Sequence, residues 1–295
     1  MVGYGEVGRI FSAGLKRHLA SVSAWDAKFA QEDLRDAWLA HARDAGVLAC
    51  ASMQALCERS DLVISAVTAS NTLAVAEAAA AHFRPGTVFL DLNSASPGTK
   101  QAAARLIEAR GALYVEAGVM SSVPPYGIRV PMLLGGAHAV ALGSVLKEWG
   151  MDVTAVSDKL GVASAIKMCR SVMIKGLEAL VIESYSTARA YGVEDYMIAT
   201  LQETFPSIDW QEQGAYFFSR VVQHGQRRAE EMREAANTVR EAGFAPLMTA
   251  ATADKQQWVA DQARVGRFVG MESKAVWQAY ADRLLAARPG NAPGR

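Results

Sequence analysis

The sequence has few cysteines, no excess of charge of either sign and no long apolar run. Its three cysteines, Cys50, Cys57 and Cys169, are odd in number and lack metal-ligand spacing. We therefore interpret them as reduced, buried thiols and predict no metal site. The 30 basic and 30 acidic residues cancel, which removes the electrostatic signature of a nucleic-acid or anionic-membrane partner. No apolar run approaches the ~20 residues of a membrane span and no signal peptide precedes the first motif, so we predict a cytoplasmic protein.

Glycine is informative near the start of the chain. Gly3-Tyr4-Gly5-Glu6-Val7-Gly8 reads G-x-G-x-x-G and runs into residues 9–19, which have helical spacing. In a dinucleotide-binding turn the first glycine permits a tight bend, the second lets the backbone approach a pyrophosphate, and the third lets helix and strand pack. The helix that follows directs its free N–H groups at the phosphates. The alternative is that these glycines serve only a turn. We predict cofactor binding at Gly3, Tyr4, Gly5, Glu6, Val7 and Gly8.

An acidic residue follows the next strand-like segment. Ser21–Trp25 has strand character and ends at Asp26. A carboxylate at this distance from the glycine motif accepts hydrogen bonds from the adenosine ribose and repels a 2′-phosphate, so NAD is favoured over NADP. Only Met1 and Val2 precede the motif, where a full apolar strand is normal. We expect either a stunted first strand or a start that lies upstream.

The first half of the sequence alternates strand and helix. Ser52 is placed to cap one helix, and Ser96-Pro97 opens another with serine at the cap and proline at the first position. Repeated units of this kind predict an α/β fold with a Rossmann-type, doubly wound parallel sheet. The predicted strands are 21–25, 47–50, 61–67, 87–91, 112–116 and 151–156, and the predicted helices are 31–45, 52–58, 71–82 and 96–110.

The second half shows helical periodicity almost throughout. No proline interrupts Val162–Tyr191, whose small and apolar residues recur every three or four positions, so we predict one long helix there. The expected domains are residues 1–158, which bind the nucleotide, and residues 159–295, which are all-helical, with a disordered tail at 289–295. The other predicted helices are 194–204, 209–241 with a break near Gly225, 246–265 and 273–287.

Polar loops follow three successive strands of the predicted sheet. They are Thr68–Asn71, Asn93–Ser96 and Gly118–Ser122. Because ligands of such sheets lie beyond the carboxyl ends of the strands, these loops are candidates for a binding site. A single polar loop at a strand end is common without any function, but three on one edge favour a site.

Five segments of the chain match the motifs of one known family. They are the glycine motif, Asp91–Pro97, Glu116–Ser122, Met132–Gly136 and the helix start Gly161–Ser171. With them the chain resembles the β-hydroxyacid dehydrogenases, which include 3-hydroxyisobutyrate and 6-phosphogluconate dehydrogenases, and Glu116–Ser122 is similar to the substrate loop of that family. The resemblance covers nearly the whole chain, with a C-terminal segment similar to a less-characterised helical domain of one branch. It implies that Thr68 and Asn93 lie along the ribose and nicotinamide of the cofactor.

Lys167 is the predicted catalytic residue. It lies on a helix face made otherwise of apolar residues, where the charged form is disfavoured and the pKa falls toward the range useful for proton transfer. The alternative is a lysine that extends to the surface. In the family that this chain resembles, the lysine at this position is the general acid/base on the substrate hydroxyl.

The chain departs from the family pattern at the expected substrate contacts. Ser171 stands where the family has asparagine, and Ser121 and Ser122 stand where it has glycines, so all three serines are predicted to bind substrate. A lysine that many members carry on a C-terminal helix is replaced by Glu230, beside Glu231. Arg227 and Arg228 could form an arginine fork for an anionic substrate in its place. The alternative is that residues 227–233 are a solvated charged helix face.

The sequence thus predicts an NAD(P)-dependent enzyme that moves hydride between nicotinamide and a β-hydroxyacid. An oxidative decarboxylase similar to 6-phosphogluconate dehydrogenase is the alternative among enzymes, and a non-catalytic NAD(P)-binding regulator is the alternative outside them. The resemblance also implies a homodimer or larger homo-oligomer, because long apolar helices such as Val162–Tyr191 often lie between subunits in the family.

Overall fold

The computed structural model describes residues 1–272 and 275–286, and the predicted tail 289–295 lies outside them. The chain divides into two compact units. The first comprises Met1–Cys169 and Glu241–Gly243, and the second comprises the described residues of Arg170–Arg240 and Phe244–Arg295. The division between residues 158 and 159 stays a prediction.

The first unit alternates strands and helices, as predicted. Its strands are β1 (Ser23–Ala24), β2 (Leu48–Ala49), β3 (Leu62–Ser65), β4 (Val88–Asp91), β5 (Leu113–Val119), β6 (Met132–Gly135) and β7 (Val153–Ser157). Its helices are α1 (Glu6–Leu15), α2 (Glu32–Asp44), α3 (Met53–Glu58), α4 (Thr72–Ala80), α5 (Pro97–Glu108), α6 (Ala139–Glu148) and the first residues of α7 (Val162–Tyr191).

Both predicted serine caps are confirmed. The hydroxyl of Ser52 accepts a hydrogen bond from the backbone N–H of Ala55 at 3.1 Å, and that of Ser96 accepts one from Thr99 at 3.2 Å. Each cap satisfies a backbone donor that has no partner inside its own helix, which is why these two helices begin where the sequence indicates.

The sheet confirms the predicted Rossmann-type fold, in which parallel pairing predominates. β1 and β2 pair in parallel, and the larger sheet has the order β3-β4-β5-β6-β7. All its neighbours are parallel except β5 and β6, which pair antiparallel with Glu116 opposite Gly135. β6 and β7, which are parallel to each other, therefore run opposite to β3, β4 and β5. Residues 120–131 contain one short 3-10 turn and no crossover helix, so the chain returns in the opposite direction.

The strand expected before the glycine motif is reduced to a single residue. Val2 forms parallel bridges to Trp25 on one side and to Ser65 on the other. Its N–H donates to the carbonyl of Ile64 at 2.9 Å, and its own carbonyl accepts from the N–H of Ala66 at 2.8 Å. Val2 thus joins the β1–β2 pair to the larger sheet at the position that the motif requires.

The second unit is built from helices. They are the remainder of α7, α8 (Glu194–Thr204), α9 (Trp210–Glu241), α10 (Leu247–Arg264) and α11 (Trp277–Leu285). The predicted bounds of α7 and α8 are confirmed, whereas the predicted ends of α11, Ser273 and Ala287, lie outside the described residues. Among the described residues no helix has the length and apolar character that crossing a membrane requires.

The break predicted in α9 at Gly225 is wrong. The helix continues through this glycine, which is buried where α10 crosses it. A Cβ on Gly225 would lie 2.9 Å from the carbonyl oxygen of Gln256 and 3.1 Å from Cβ of Ala260. The glycine therefore permits close packing of two helices, and this function cannot be distinguished from a helix break in the sequence.

A buried ionic network lies at the end of β4. Lys100 and Asp91 are 1 % and 0 % exposed, and their Nζ and Oδ1 atoms are 2.9 Å apart. The hydroxyl of Tyr114 donates to the second carboxylate oxygen of Asp91 at 2.6 Å. Burial, and next the charge of Asp91, raises the pKa of Tyr114 far above its usual value, so the phenol stays protonated and donates. The carboxylate is thereby satisfied in the interior.

Replacing Lys100 with methionine should lower the free energy of unfolding by about 3–5 kcal/mol, because Asp91 is left buried without a counter-charge. The matched control Arg84→Met removes the exposed ion pair with Asp61, whose side chain is 99 % exposed, and should cost less than about 1 kcal/mol. Urea denaturation of both variants measures the difference. Equal losses would contradict the role given to Lys100.

Candidate active site

The glycine motif has the geometry of a turn that faces a phosphate. Gly3 has a φ of +85°, which favours glycine, and a Cβ on Gly8 would overlap the carbonyl oxygen of Gly3. Around Gly5, in contrast, no heavy atom of the described residues, apart from its own neighbours in the chain, lies within 4 Å of a Cβ position, and no described side chain caps the start of α1. Open space above an uncapped helix N-terminus suits a pyrophosphate, so the motif fits the predicted cofactor.

Asp26 holds the backbone of this turn. Its Oδ2 atom accepts from the N–H of Tyr4 at 2.7 Å, and its Oδ1 atom accepts from the N–H of Lys28 at 2.9 Å. The carboxylate therefore ties the end of β1 to the glycine motif. Its predicted contact with an adenosine ribose stays a prediction.

The side chains around Asp26 form an aromatic and basic cluster. The ring of Tyr4 is buried, and its hydroxyl lies 3.2 Å from Nδ1 of His41. Nε of Arg9 donates to the carbonyl of Tyr4 at 3.2 Å, and the guanidinium carbon lies 4.2 Å from the ring centre of Trp38. Tyr4 thus contributes its backbone to the predicted cofactor turn and its ring to the core. The exposed Glu6 and the half-buried Val7 complete the motif.

Asn93 joins the loops that follow β3 and β4. Its Oδ1 atom accepts from the N–H of Val67 at 2.7 Å, and its Nδ2 atom donates to the hydroxyl of Ser65 at 3.0 Å. Thr68, also at this edge, is exposed and accepts from the side-chain amide of Asn71 at 2.8 Å. The buried Asn93 therefore fixes the position of both loops, and the predicted cofactor contacts of Thr68 and Asn93 stay predictions.

Lys167 reaches the carboxyl edge of the sheet from α7. Its Nζ atom donates to the hydroxyl of Ser94 at 2.6 Å, directly after Asn93. The sequence does not predict this contact of Ser94, although the polar loop Asn93–Ser96 that contains it is a predicted candidate for the site. The signal was present in the loop, but nothing in the sequence distinguishes Ser94 from Ser96, whose hydroxyl caps α5 instead.

Glu116 positions the helix that carries Lys167. This residue is 0 % exposed, and its Oε1 atom accepts from the N–H groups of Gly161 at 2.8 Å and Ala163 at 3.0 Å. Its Oε2 atom accepts from the hydroxyl of Ser164 at 2.8 Å. A carboxylate at a helix N-terminus satisfies orphan backbone donors and interacts favourably with the helix dipole. The sequence predicts no role for Glu116 beyond its place in the segment Glu116–Ser122. An acidic residue at the end of a buried strand is the signal that could have indicated one.

Gly118 lets α7 approach β5. A Cβ at this position would lie 3.0 Å from the carbonyl oxygen of Ala163 and 3.4 Å from Cβ of Lys167. The absence of a side chain thus helps to bring the lysine to the edge of the sheet. Further along the same chain segment, Ser121 and Ser122 are exposed, as a substrate contact requires. Their predicted binding role stays a prediction.

Ser171 lies on α7 within the second unit, where it belongs to a buried layer of charges. Nζ of Lys175 donates to the Ser171 hydroxyl at 3.2 Å and pairs with Glu231 at 2.9 Å. Beside this pair, the guanidinium of Arg228 binds both carboxylate oxygens of Glu178. Burial raises the pKa of Glu178 even though Arg228 opposes the shift. The predicted substrate contact of Ser171 stays a prediction.

The two interpretations of the arginine pair are both wrong for Arg228. Its side chain is 10 % exposed and is occupied by Glu178, so it belongs neither to a substrate fork nor to a solvated face. Arg227 is exposed, with Nε 4.0 Å from Glu231. In the described part of the chain, no group of three or more His, Cys, Asp or Glu side chains is arranged to hold a metal.

These features define a Rossmann-type dinucleotide-binding protein with an all-helical C-terminal unit. Residues 1–156 match the family described as the NAD binding domain of 6-phosphogluconate dehydrogenase, and the chain belongs to that family. Residues 188–259 match a second family, a domain of unknown function (DUF1932). The resemblance drawn from the motifs, including the less-characterised helical domain, is confirmed at this level.

Three solved structures are similar over most of the chain. A conserved hypothetical protein from Sinorhizobium meliloti is 37 % identical, with 96 % of this chain and 94 % of that chain covered and a TM-score of 0.74. The conserved protein MTH1747, described as structurally similar to 3-hydroxyacid dehydrogenases, is 28 % identical, with coverage of 90 % and 96 % and a TM-score of 0.67. The 3-hydroxyisobutyrate dehydrogenase of Mycobacterium tuberculosis, solved with L-serine, is 16 % identical, covers 96 % and 97 %, and has a TM-score of 0.69, which establishes the shared fold alone.

Replacing Glu116 with alanine should lower the free energy of unfolding by about 3 kcal/mol, because three buried donors lose their acceptor. Glu116→Gln should cost less, since the amide oxygen still accepts and the amide nitrogen can donate to Ser164. Glu108→Ala, at an exposed position on α5, is the control and should change stability by less than about 0.5 kcal/mol. Chemical denaturation measures the free energy of unfolding of the three variants. Equal values for Glu116→Ala and Glu108→Ala would show that Glu116 does not hold α7 in place.

Proposed function

We propose that the protein is an NAD(P)-dependent oxidoreductase that transfers hydride between the nicotinamide and the hydroxyl-bearing carbon of a β-hydroxyacid. The observation that carries this proposal is the 2.6 Å hydrogen bond from Lys167 to the Ser94 hydroxyl. This contact lies at the carboxyl edge of β4, the edge where a dinucleotide binds in such sheets. A lysine that reaches a hydroxyl oxygen there meets the geometric requirement for a general acid/base on an alcohol.

The cofactor would be held by residues of the first unit. Gly3, Gly5 and Gly8 would face the pyrophosphate, Asp26 the adenosine ribose, and Thr68 and Asn93 the nicotinamide half. The bound nicotinamide supplies the hydride acceptor or donor. Asp26 by itself favours NAD over NADP, because its carboxylate repels a 2′-phosphate. The side chain of Asn93 is hydrogen-bonded to the N–H of Val67 and to the hydroxyl of Ser65. Asn93 would therefore influence cofactor binding by holding its loop in position.

Lys167 would move the proton that accompanies hydride transfer. In oxidation its neutral amine takes the proton of the substrate hydroxyl, and in reduction its ammonium returns that proton to the forming alcohol. Glu116 keeps α7 in place, and Ser94 holds Nζ near the sheet edge. Ser94 thereby acts on the reaction through the lysine.

The substrate would be a small hydroxyacid bound at the carboxyl edge. The exposed hydroxyls of Ser121 and Ser122 are suited to hydrogen-bond a carboxylate. Ser171 is proposed to contribute as well, although its hydroxyl already accepts from Lys175. A panel that contains L-serine and 3-hydroxyisobutyrate is a direct first test, because a solved structural neighbour is a 3-hydroxyisobutyrate dehydrogenase with L-serine.

Lys167→Met should lower kcat by at least about 100-fold, because the general acid/base is lost while the dinucleotide site is unchanged. Formation of NADH or NADPH with the hydroxyacid panel measures turnover, and fluorescence titration measures dinucleotide affinity. Lys159→Met, which replaces an exposed lysine just before α7, is the control and should retain activity. Full activity of Lys167→Met would overturn the assignment. Binding without turnover of any substrate would favour the regulator, and release of carbon dioxide would favour the decarboxylase.

We also propose that the protein forms a homodimer through α7. Met173 and Leu180 are 73 % and 58 % exposed and lie seven residues apart, so they share one face of the helix. Exposed apolar side chains in such an arrangement mark an interaction surface.

The double change Met173→Glu with Leu180→Glu should convert the dimer to the 31.6-kDa monomer, because charges would be buried in the interface. Light scattering measures the mass. Val140→Glu on α6, where the side chain is 72 % exposed, is the control and should leave the mass unchanged. A monomeric wild-type protein would contradict the proposal.

A further inference from the structure

Two cations share one indole ring beside the glycine motif. The guanidinium carbon of Arg9, in α1, lies 4.2 Å from the ring centre of Trp38, and Nζ of Lys28 lies 4.4 Å from the same centre. Neither cation forms an ion pair within residues 1–272 and 275–286. Cations held on an aromatic face are ordered without being neutralised, so both charges remain available to an anion.

Both cations lie next to the residue that would face the adenosine ribose. Lys28 follows Asp26 by two positions, and its N–H donates to the Asp26 carboxylate at 2.9 Å. Arg9 donates to the carbonyl of Tyr4 at 3.2 Å, while Asp26 accepts from the N–H of the same residue at 2.7 Å. Asp26 and Arg9 therefore bind the two backbone groups of Tyr4, and Lys28 adjoins them through its own N–H.

The charges at this point favour an anion despite Asp26. Two positive side chains accompany one carboxylate, which leaves a local charge of +1, and both carboxylate oxygens already accept backbone N–H groups. The acidic side chains in the first turns of the adjoining helices, Glu6, Glu32 and Asp33, are exposed and make no ion pair with either cation. An NAD-only site needs a carboxylate and no cation, so the surplus of positive charge is not explained by the ribose of NAD.

We propose that Arg9 and Lys28 form a binding site for the 2′-phosphate of NADP(H), so that NADPH binds at least as tightly as NADH. This inference rests on the dinucleotide site of the proposed function and reverses the preference that Asp26 alone would give. A guanidinium presents a rigid fork to phosphate oxygens, and an ammonium adds a point charge. Trp38 holds both in place before the ligand arrives, which lowers the entropy lost on binding.

The experiment is a fluorescence titration of the full-length protein and its variants with NADPH and NADH. The half-ligands 2′,5′-ADP and 5′-AMP, which differ only by the phosphate in question, are titrated in parallel. Lys28→Ala and Arg9→Ala should each raise the Kd for NADPH and 2′,5′-ADP about tenfold or more, with changes below about threefold for NADH and 5′-AMP. Arg17→Ala, which removes an exposed cation just beyond α1, is the control and should change none of these affinities.

A second variant separates recognition of the phosphate from packing. Lys28→Met keeps the apolar stem of the side chain and removes only the charge, so it should weaken NADPH as much as Lys28→Ala does while the melting temperature stays at the wild-type value. Equal loss of affinity for both dinucleotides in every variant would assign the cluster to packing and overturn the proposal.

The titrations distinguish failure of this inference from failure of the proposed function. Tight binding of NADH, with NADPH more than about tenfold weaker in the wild-type protein, would overturn this inference and leave the proposed function intact. Binding of neither dinucleotide would overturn the dinucleotide assignment itself and this inference with it.

Discussion

The carboxylate of Glu116 is the contact on which the geometry of the candidate site depends. Glu116 lies in β5, and its carboxylate caps the N-terminus of α7 by accepting hydrogen bonds from two backbone N–H groups and one hydroxyl. A charge buried to this degree is tolerable only where its hydrogen bonds are satisfied, and the first turn of a helix satisfies them. The position of Lys167, one turn further along, follows from this attachment and from the missing side chain at Gly118.

Most of the fold could be predicted from local patterns in the sequence. The long helix Val162–Tyr191 was predicted with its observed bounds, because nothing in it competes with the helical period. The direction of β6 could not be predicted, since it depends on how residues 120–131 return across the sheet. The predicted break near Gly225 is wrong for a related reason. A glycine that ends a helix and a glycine that allows a neighbouring helix to pack closely look the same in the sequence.

The candidate site could be predicted in part. Motif spacing predicts the glycine turn and Lys167 as candidate residues, whereas it assigns nothing to Ser94 and Glu116, because their contacts are with partners that are distant in sequence. Arg228 illustrates the same limit. Its neighbours in the chain are charged and polar, which indicates a solvated face, but Glu178 comes from another helix and pairs with it in the interior. Local pattern gives the type of element, and contacts between elements give the role of a side chain.

The position of Val2 between two strands has a consequence for the glycine turn that follows it. Backbone hydrogen bonds join this part of the chain to Trp25 on one side and to Ile64 and Ala66 on the other. Side chains from both sides, among them Ala24 and Ile64, are buried in one core cluster. The turn is therefore anchored by backbone and core on both sides, and local opening of either side would disturb it. A dinucleotide bound at the turn would stabilise both sides at once.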